Sequence, residues 1–100
     1  MTRPIMCELT PEAMKARRAG LLPGLAARAE RRDDTPDGYR LTFAASSETL
    51  LAIADTVDAE RQCCRWLCFE LTVAPDGGPI VLTLSGPEGA REFLAALFNQ

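Results

Sequence analysis

The sequence predicts an α+β domain in which three helices cover one side of a four-stranded antiparallel sheet, in the order α-β-β-α-β-β-α. Three observations predict it. Apolar residues repeat at helical spacing in two segments that follow capping residues. Apolar and polar residues alternate in the segments between them. Clusters of turn-forming residues separate paired segments, as in β-hairpins. One hundred residues correspond to a single domain, 1–100.

The first half is predicted to hold one helix and one hairpin. A hydroxyl N-cap and a proline at the first helical position begin a helix over residues 10–22, and Pro23 disfavours its continuation. Residues 25–32 are ambiguous, because alanine favours a helix whereas the Pro-Gly start and the following turn favour a strand. Residues 33–38 have the composition of a turn, and residues 39–43 alternate as a half-buried strand.

The second half is predicted to hold a helix, a hairpin and a last helix. The helix begins after Ser46 or Ser47 and ends near Cys63 or Cys64. Two alternating segments, 67–73 and 80–84, flank a Pro-Asp-Gly-Gly turn. A capping box opens the last helix. In the helix that begins after Ser46 or Ser47, the apolar stripe is expected to consist of Leu50, Leu51, Ile53, Ala54 and Val57.

The charge and hydropathy of the chain exclude two classes of partner. A net charge of −3 and an isoelectric point near 4.9 argue against a nucleic-acid-binding protein, which would carry a basic face. No segment reaches the ~18 apolar residues of a spanning helix, and the N-terminus has no apolar signal region. We therefore expect a soluble cytosolic protein, in which clustered cysteines bind metal or do redox chemistry more often than they form disulfides.

The cysteines are the strongest functional signal. Cys63, Cys64 and Cys68 fall within six residues of one another, Cys7 lies near the N-terminus, and the chain has no histidine. Thiolates select soft ions such as zinc and monovalent copper. Four cysteines would suffice for a tetrahedral site, although their spacing lacks the paired C-x2-C units of common zinc modules.

Helix geometry brings an acid to the cysteine pair. Glu60 is three residues before Cys63 and four before Cys64, so both cysteines adjoin it on a helix. The two cysteines diverge by about 100° while the backbone is helical, and they converge on one ion if the helix ends there. The strand pattern places Cys68 on the face away from the helices, where it is exposed or in a dimer contact.

Two alternatives use the same residues. The cysteines could be packing residues of a structural or dimeric interaction module, since free cysteine is often buried. The protein could also be a thiol enzyme, a reductase or a metal–carbon lyase. The negative end of the helix dipole disfavours a reactive thiolate at Cys63 or Cys64, although Arg61 and Arg65 could offset it.

Three further motifs stand out: E-R-Q-C-C-R-W-L at 60–67, D-G-G-P-I at 76–80 and S-G-P-E-G-A-R-E-F-L at 85–94. Together they resemble the motifs of a family of small, mostly uncharacterised bacterial proteins found in heavy-metal, especially mercury, resistance gene neighbourhoods. The resemblance covers residues 5–98. It implies a role in metal resistance, and it matches Cys7 to an early cysteine of the family. Cys68 stands where the family usually has a basic residue.

The sequence thus leads to one hypothesis: a soft-metal-binding protein that sequesters an ion or hands it over, without catalysis. The expected ligands are Cys63 and Cys64, then Cys7, with Cys68 as an added ligand. Glu60 is expected to ligate the ion or to orient the site. Mercuric, zinc, cadmium or cuprous ion would suit these ligands. A homodimer is allowed, and neither nucleic acid nor membrane is an expected partner.

Overall fold

A computed structural model describes residues 22–98 and confirms the predicted α+β class. Its elements follow the order α-β-β-α-β-β-α. They are α1 (Leu22–Arg28), β1 (Arg31–Thr35), β2 (Gly38–Phe43), α2 (Ser47–Cys63), β3 (Cys68–Val73), β4 (Ile80–Ser85) and α3 (Ala90–Phe98). The helix predicted over residues 10–22 lies outside the described residues, apart from its last position.

The four strands form one antiparallel sheet in the order β1-β2-β4-β3. Each hairpin pairs its own two strands, and β2 pairs with β4 to join them. Every second residue of the two central strands is buried: Tyr39, Leu41 and Phe43 in β2, and Ile80, Leu82 and Leu84 in β4. The residues between them are half-buried or exposed, apart from Gly38. The helices therefore cover one face of the sheet, as predicted.

In the first hairpin the structure resolves one ambiguity and corrects one expectation. The ambiguous segment begins with α1 and not with a strand, and residues 33–35 belong to β1, so the turn is only Pro36 and Asp37. A charged strand is stable here because β1 is an edge strand. Arg31 pairs with Asp33 at 2.9 Å, and the guanidinium carbon of Arg32 lies 5.2 Å from the centre of the Phe98 ring.

Strand β3 forms the other edge of the sheet, and its apolar residues are more exposed than their alternation with polar residues predicts. Leu71 and Val73 share the face of the buried β4 residues, yet 45% and 54% of their surfaces are exposed. The alternation of apolar and polar residues correctly predicted the face of the sheet on which these two side chains lie. It could not show that the helices do not extend over this edge.

Helix α2 begins at an N-cap and ends at the cysteine pair. The Ser46 hydroxyl accepts a hydrogen bond from the Thr49 amide at 3.0 Å. The buried stripe is Ile53, Thr56, Glu60 and Cys63, whereas Leu51 and Ala54 of the predicted stripe are exposed. Within residues 22–98, none of the helices has both the length and the apolar character that crossing a membrane requires.

Candidate metal centre

The buried stripe of α2 carries a carboxylate and a cysteine sulfur into the core, two groups that could hold a metal ion. Its members are spaced by three, four and three residues, which keeps them on one side of the helix. Glu60 and Cys63 therefore point inward beside Ile53, although a glutamate would ordinarily lie at the surface. The side chains of Glu60 and Cys63 are only 1% and 2% exposed.

Cys64 joins this group because the helix ends at it. Its backbone is non-helical (φ −113°, ψ 82°), and its amide donates the last helical hydrogen bond to the Glu60 carbonyl at 2.7 Å. A turn follows, in which the Leu67 amide donates to the Cys64 carbonyl at 3.0 Å. The Cys64 thiol then lies 3.7 Å from the Cys63 sulfur, to which it donates a hydrogen bond.

Three ligand atoms converge at this helix end. A carboxylate oxygen of Glu60 and the sulfurs of Cys63 and Cys64 all lie within 4.8 Å of one another. All three residues are buried. Among residues 22–98 this is the one group of three or more cysteines and acids with such a spacing. Burying a carboxylate is costly unless hydrogen bonds or a cation compensate its charge.

The oxidation state of the sulfurs limits what this group can bind. Cys63 is disulfide-bonded, whereas Cys64 and Cys68 are free thiols. A sulfur within a disulfide carries no negative charge and does not replace a thiolate as a metal ligand. The complete set of Glu60, Cys63 and Cys64 therefore exists as metal ligands only when the Cys63 disulfide is reduced.

The other candidate residues lie in different places. Cys68 is the first residue of β3, pairs with Ser85 of β4 and is exposed, as its place in the alternation predicted. It is not part of the buried group. Cys7 lies outside the described residues. Arg61 is exposed, and its guanidinium Nη2 lies 2.7 Å from Asp58 Oδ1. Its positive charge is therefore paired with a carboxylate at the surface.

Aromatic packing holds the turn after Cys64 in place. Trp66 is buried and meets Phe93 of α3 edge-to-face, with ring centres 5.1 Å apart. A Cβ atom on Gly86 would lie 2.8 Å from the Trp66 ring, so the indole packs directly on that glycine. Sequence reasoning assigned Trp66 no part in the candidate site. Its proximity to a cysteine pair was the available signal for this role.

Comparison with known proteins adds no relative to this picture. No protein-family model matches the chain, and no curated protein or solved structure does so.

Proposed function

We propose that the reduced protein binds a soft metal ion through Cys63 and Cys64, with Glu60 as a ligand or as the group that orients them. One observation carries the proposal: three ligand-type side chains converge within 4.8 Å in the core. Two thiolates beside a carboxylate would repel one another in the absence of a cation, and an ion compensates all three.

The spacing of the sulfurs supports an ion with tetrahedral angles. Two sulfurs at the usual zinc–sulfur distance of ~2.3 Å from one tetrahedral ion are about 3.7–3.8 Å apart. The Cys63 and Cys64 sulfurs are 3.7 Å apart. A linear arrangement would need about 4.6 Å for bonds of the same length. Two sulfurs at this spacing can therefore bind one tetrahedral ion such as zinc once the Cys63 disulfide is reduced.

The burial of the site supports storage or transfer of the ion over catalysis. A catalytic metal keeps one coordination position open to substrate. Here all three ligand residues are almost fully buried, which suits an ion that is held and later handed over. The need for reduced thiolates is met in a reducing compartment such as the cytosol. The motif resemblance to proteins of metal-resistance neighbourhoods supports the same role.

Burial of Cys63 and Cys64 alone would also fit a module with packed cysteines and no ion. The convergence of Glu60 with the two sulfurs favours the metal site, because a carboxylate and two cysteine sulfurs within 4.8 Å of one another have the composition and spacing of a ligand set.

Titration of the fully reduced protein with Cd²⁺ tests the proposal, because cadmium–thiolate bonds absorb in the ultraviolet. We expect one tightly bound ion per chain. Cys63→Ser combined with Cys64→Ser should abolish the signal. Cys68→Ser is the matched control, since Cys68 is exposed and outside the group, and it should bind as the wild type does. Unchanged affinity in the double variant would overturn the proposed function.

A further inference from the structure

The two edges of the sheet differ in how well they resist pairing with another strand. β1 carries consecutive charged residues from Arg31 to Asp34, and charges on an edge strand discourage such pairing. β3 pairs with β4 in one register without a bulge, and Glu70 is its one charged residue. Leu71 and Val73 of β3 are exposed. Among residues 22–98 no strand lies on the other side of β3, so this edge is apolar and unprotected.

The backbone hydrogen bonds show which polar groups of β3 face outward. The Ala74 amide donates to the Pro79 carbonyl at 3.2 Å, which continues the register of β3 with β4. Backbone groups of successive residues in an antiparallel strand point alternately to its two sides. Those of Phe69, Leu71 and Val73 therefore point away from β4. The side chains of the same three residues lie on the face that the helices cover.

We propose that β3 pairs with β3 of a second copy of the chain about a two-fold axis at Leu71, which joins the two sheets into one of eight strands. A closed two-fold pair is the commonest arrangement of identical chains. An axis normal to the sheet makes the two β3 strands antiparallel and puts the helices of both copies on one side. This inference does not depend on the proposed metal binding.

Symmetry and charge together select the register. Opposite residues of an antiparallel pair project from the same face, and the axis keeps each residue on its own face, so the central residue lies opposite its own counterpart. In this strand the central residue is Glu70 or Leu71. Centring on Glu70 would oppose two carboxylates, which is destabilising.

Centring on Leu71 instead makes the strand complementary to itself. Leu71 then lies opposite Leu71, Phe69 opposite Val73, and Glu70 opposite Thr72. The outward backbone groups form three hydrogen-bonded pairs, at 69–73, 71–71 and 73–69, whereas centring on Glu70 forms only two within the strand. Apolar side chains thus meet on one face without opposed like charges.

Sedimentation analysis of the full chain tests the association. One strand pair makes a small interface, so we expect a dimer of twice the 10.9 kDa chain mass that dissociates on dilution. Leu71→Lys should be monomeric, because it places two ammonium groups opposite each other. Leu51→Lys, at the exposed leucine of α2, is the matched control and should associate like the wild type. A wild type that stays monomeric at about 1 mM, or equal association of wild type and Leu71→Lys, would refute the proposal.

Two variants at Thr72 test the register with a predicted sign. Thr72 is exposed, so neither substitution disturbs the core. Thr72→Lys creates two opposite-charge pairs with Glu70 across the interface and should lower the dissociation constant by about 2- to 30-fold. Thr72→Glu creates two like-charge pairs and should raise it by a similar factor. Changes in the same direction for both variants would contradict the register.

Disulfide cross-linking locates the axis independently. In a Cys68→Ser background, which removes the exposed thiol, Leu71→Cys places two cysteines about 5.5 Å apart between Cα atoms, within disulfide range. Val73→Cys places them four residues apart along the strand, roughly 14 Å, which is too far. We expect a covalent dimer after mild oxidation with diamide for Leu71→Cys alone. Equal cross-linking at both positions would show that the axis is not at Leu71.

Discussion

The sulfurs of Cys63 and Cys64 lie 3.7 Å apart although the residues are consecutive. In a continuous helix their side chains would point about 100° apart. They meet because α2 ends between them and Cys64 takes a non-helical backbone conformation. The end of the helix, and not the pair of cysteines alone, therefore brings the two sulfurs together.

Replacing Glu60 by glutamine should weaken metal binding. The amide keeps the shape of the side chain but loses the negative charge next to the two sulfurs. We expect Cd²⁺ affinity of the reduced protein to fall by about 10–100-fold, the range seen when groups that orient a metal site are removed. Competition with a chelator of known affinity measures the change.

Glu48→Gln is the matched control for this substitution. Glu48 is in the first turn of the same helix, and its side chain is 83% exposed in a pair with Arg28. This variant should bind Cd²⁺ like the wild type. An equal loss in both variants would mean that the charge of Glu60 has no specific part in the site.

The number of protons released on binding should report the number of thiol ligands. Below about pH 7 an ordinary cysteine is mostly protonated, and a metal must displace its proton. With Cys63 and Cys64 as the thiol ligands, reduced protein should release about two protons per ion. Calorimetry in two buffers of different ionisation enthalpy gives this number. Affinity should accordingly rise with pH, and release of one proton or none would contradict two thiol ligands.

Trp66→Ala should destabilise the fold. The indole packs on Gly86 and Phe93, and its removal leaves a cavity under the turn that follows Cys64. Large aromatic-to-alanine changes in a core cost about 3–5 kcal/mol of unfolding free energy. Urea unfolding followed by circular dichroism measures the loss.

Trp66→Phe should cost much less than Trp66→Ala. The indole Nε1 atom is buried and has no hydrogen-bond partner among residues 22–98, so phenylalanine removes an unpaired donor while it keeps an aromatic ring against Phe93. Leu51→Ala, at a position that is 66% exposed, is the surface control and should change stability by at most about 0.5 kcal/mol. Equal losses for the two Trp66 variants would contradict the cavity argument.

Two glycines should respond to alanine in opposite directions. At Gly38 a Cβ atom would overlap the Leu84 carbonyl oxygen of β4, so Gly38→Ala must push the two central strands apart. We expect a loss near the upper end of overpacking costs, about 3 kcal/mol. At Gly24, in α1, no atom of the described part of the chain lies within 4 Å of the added Cβ. Gly24→Ala should gain up to ~1 kcal/mol from helix propensity, and thermal unfolding compares the two variants.

The sequence was sufficient for the parts of the fold that local patterns determine. The Ser46 cap and the end of α2 at the cysteine pair follow from capping chemistry and from the change of period between helix and strand. The same change of period predicted that Cys68 faces away from the helices. Residues 33–35 were misassigned, because three polar residues in a row have the composition of a turn. Only the pairing with β2 makes them a strand.

The candidate site could be predicted only in part. The spacings of three and four residues on a helix placed Glu60 beside Cys63 and Cys64. Burial of Glu60 depends on how α2 is rotated against the sheet, and the apolar pattern indicated a different rotation, with Leu51 inward. The disulfide at Cys63 could not be predicted either, because disulfide formation depends on tertiary structure and the composition favoured reduced thiols.

Trp66 is the single tryptophan of the chain, and it lies two residues after Cys64 on the turn that the helix end creates. Its fluorescence therefore comes from one known position next to the sulfur cluster. A heavy ion bound there would quench this emission, and movement of the turn would shift its wavelength. The protein thus contains its own optical probe, with which the proposed binding of an ion would be followed in real time without a label.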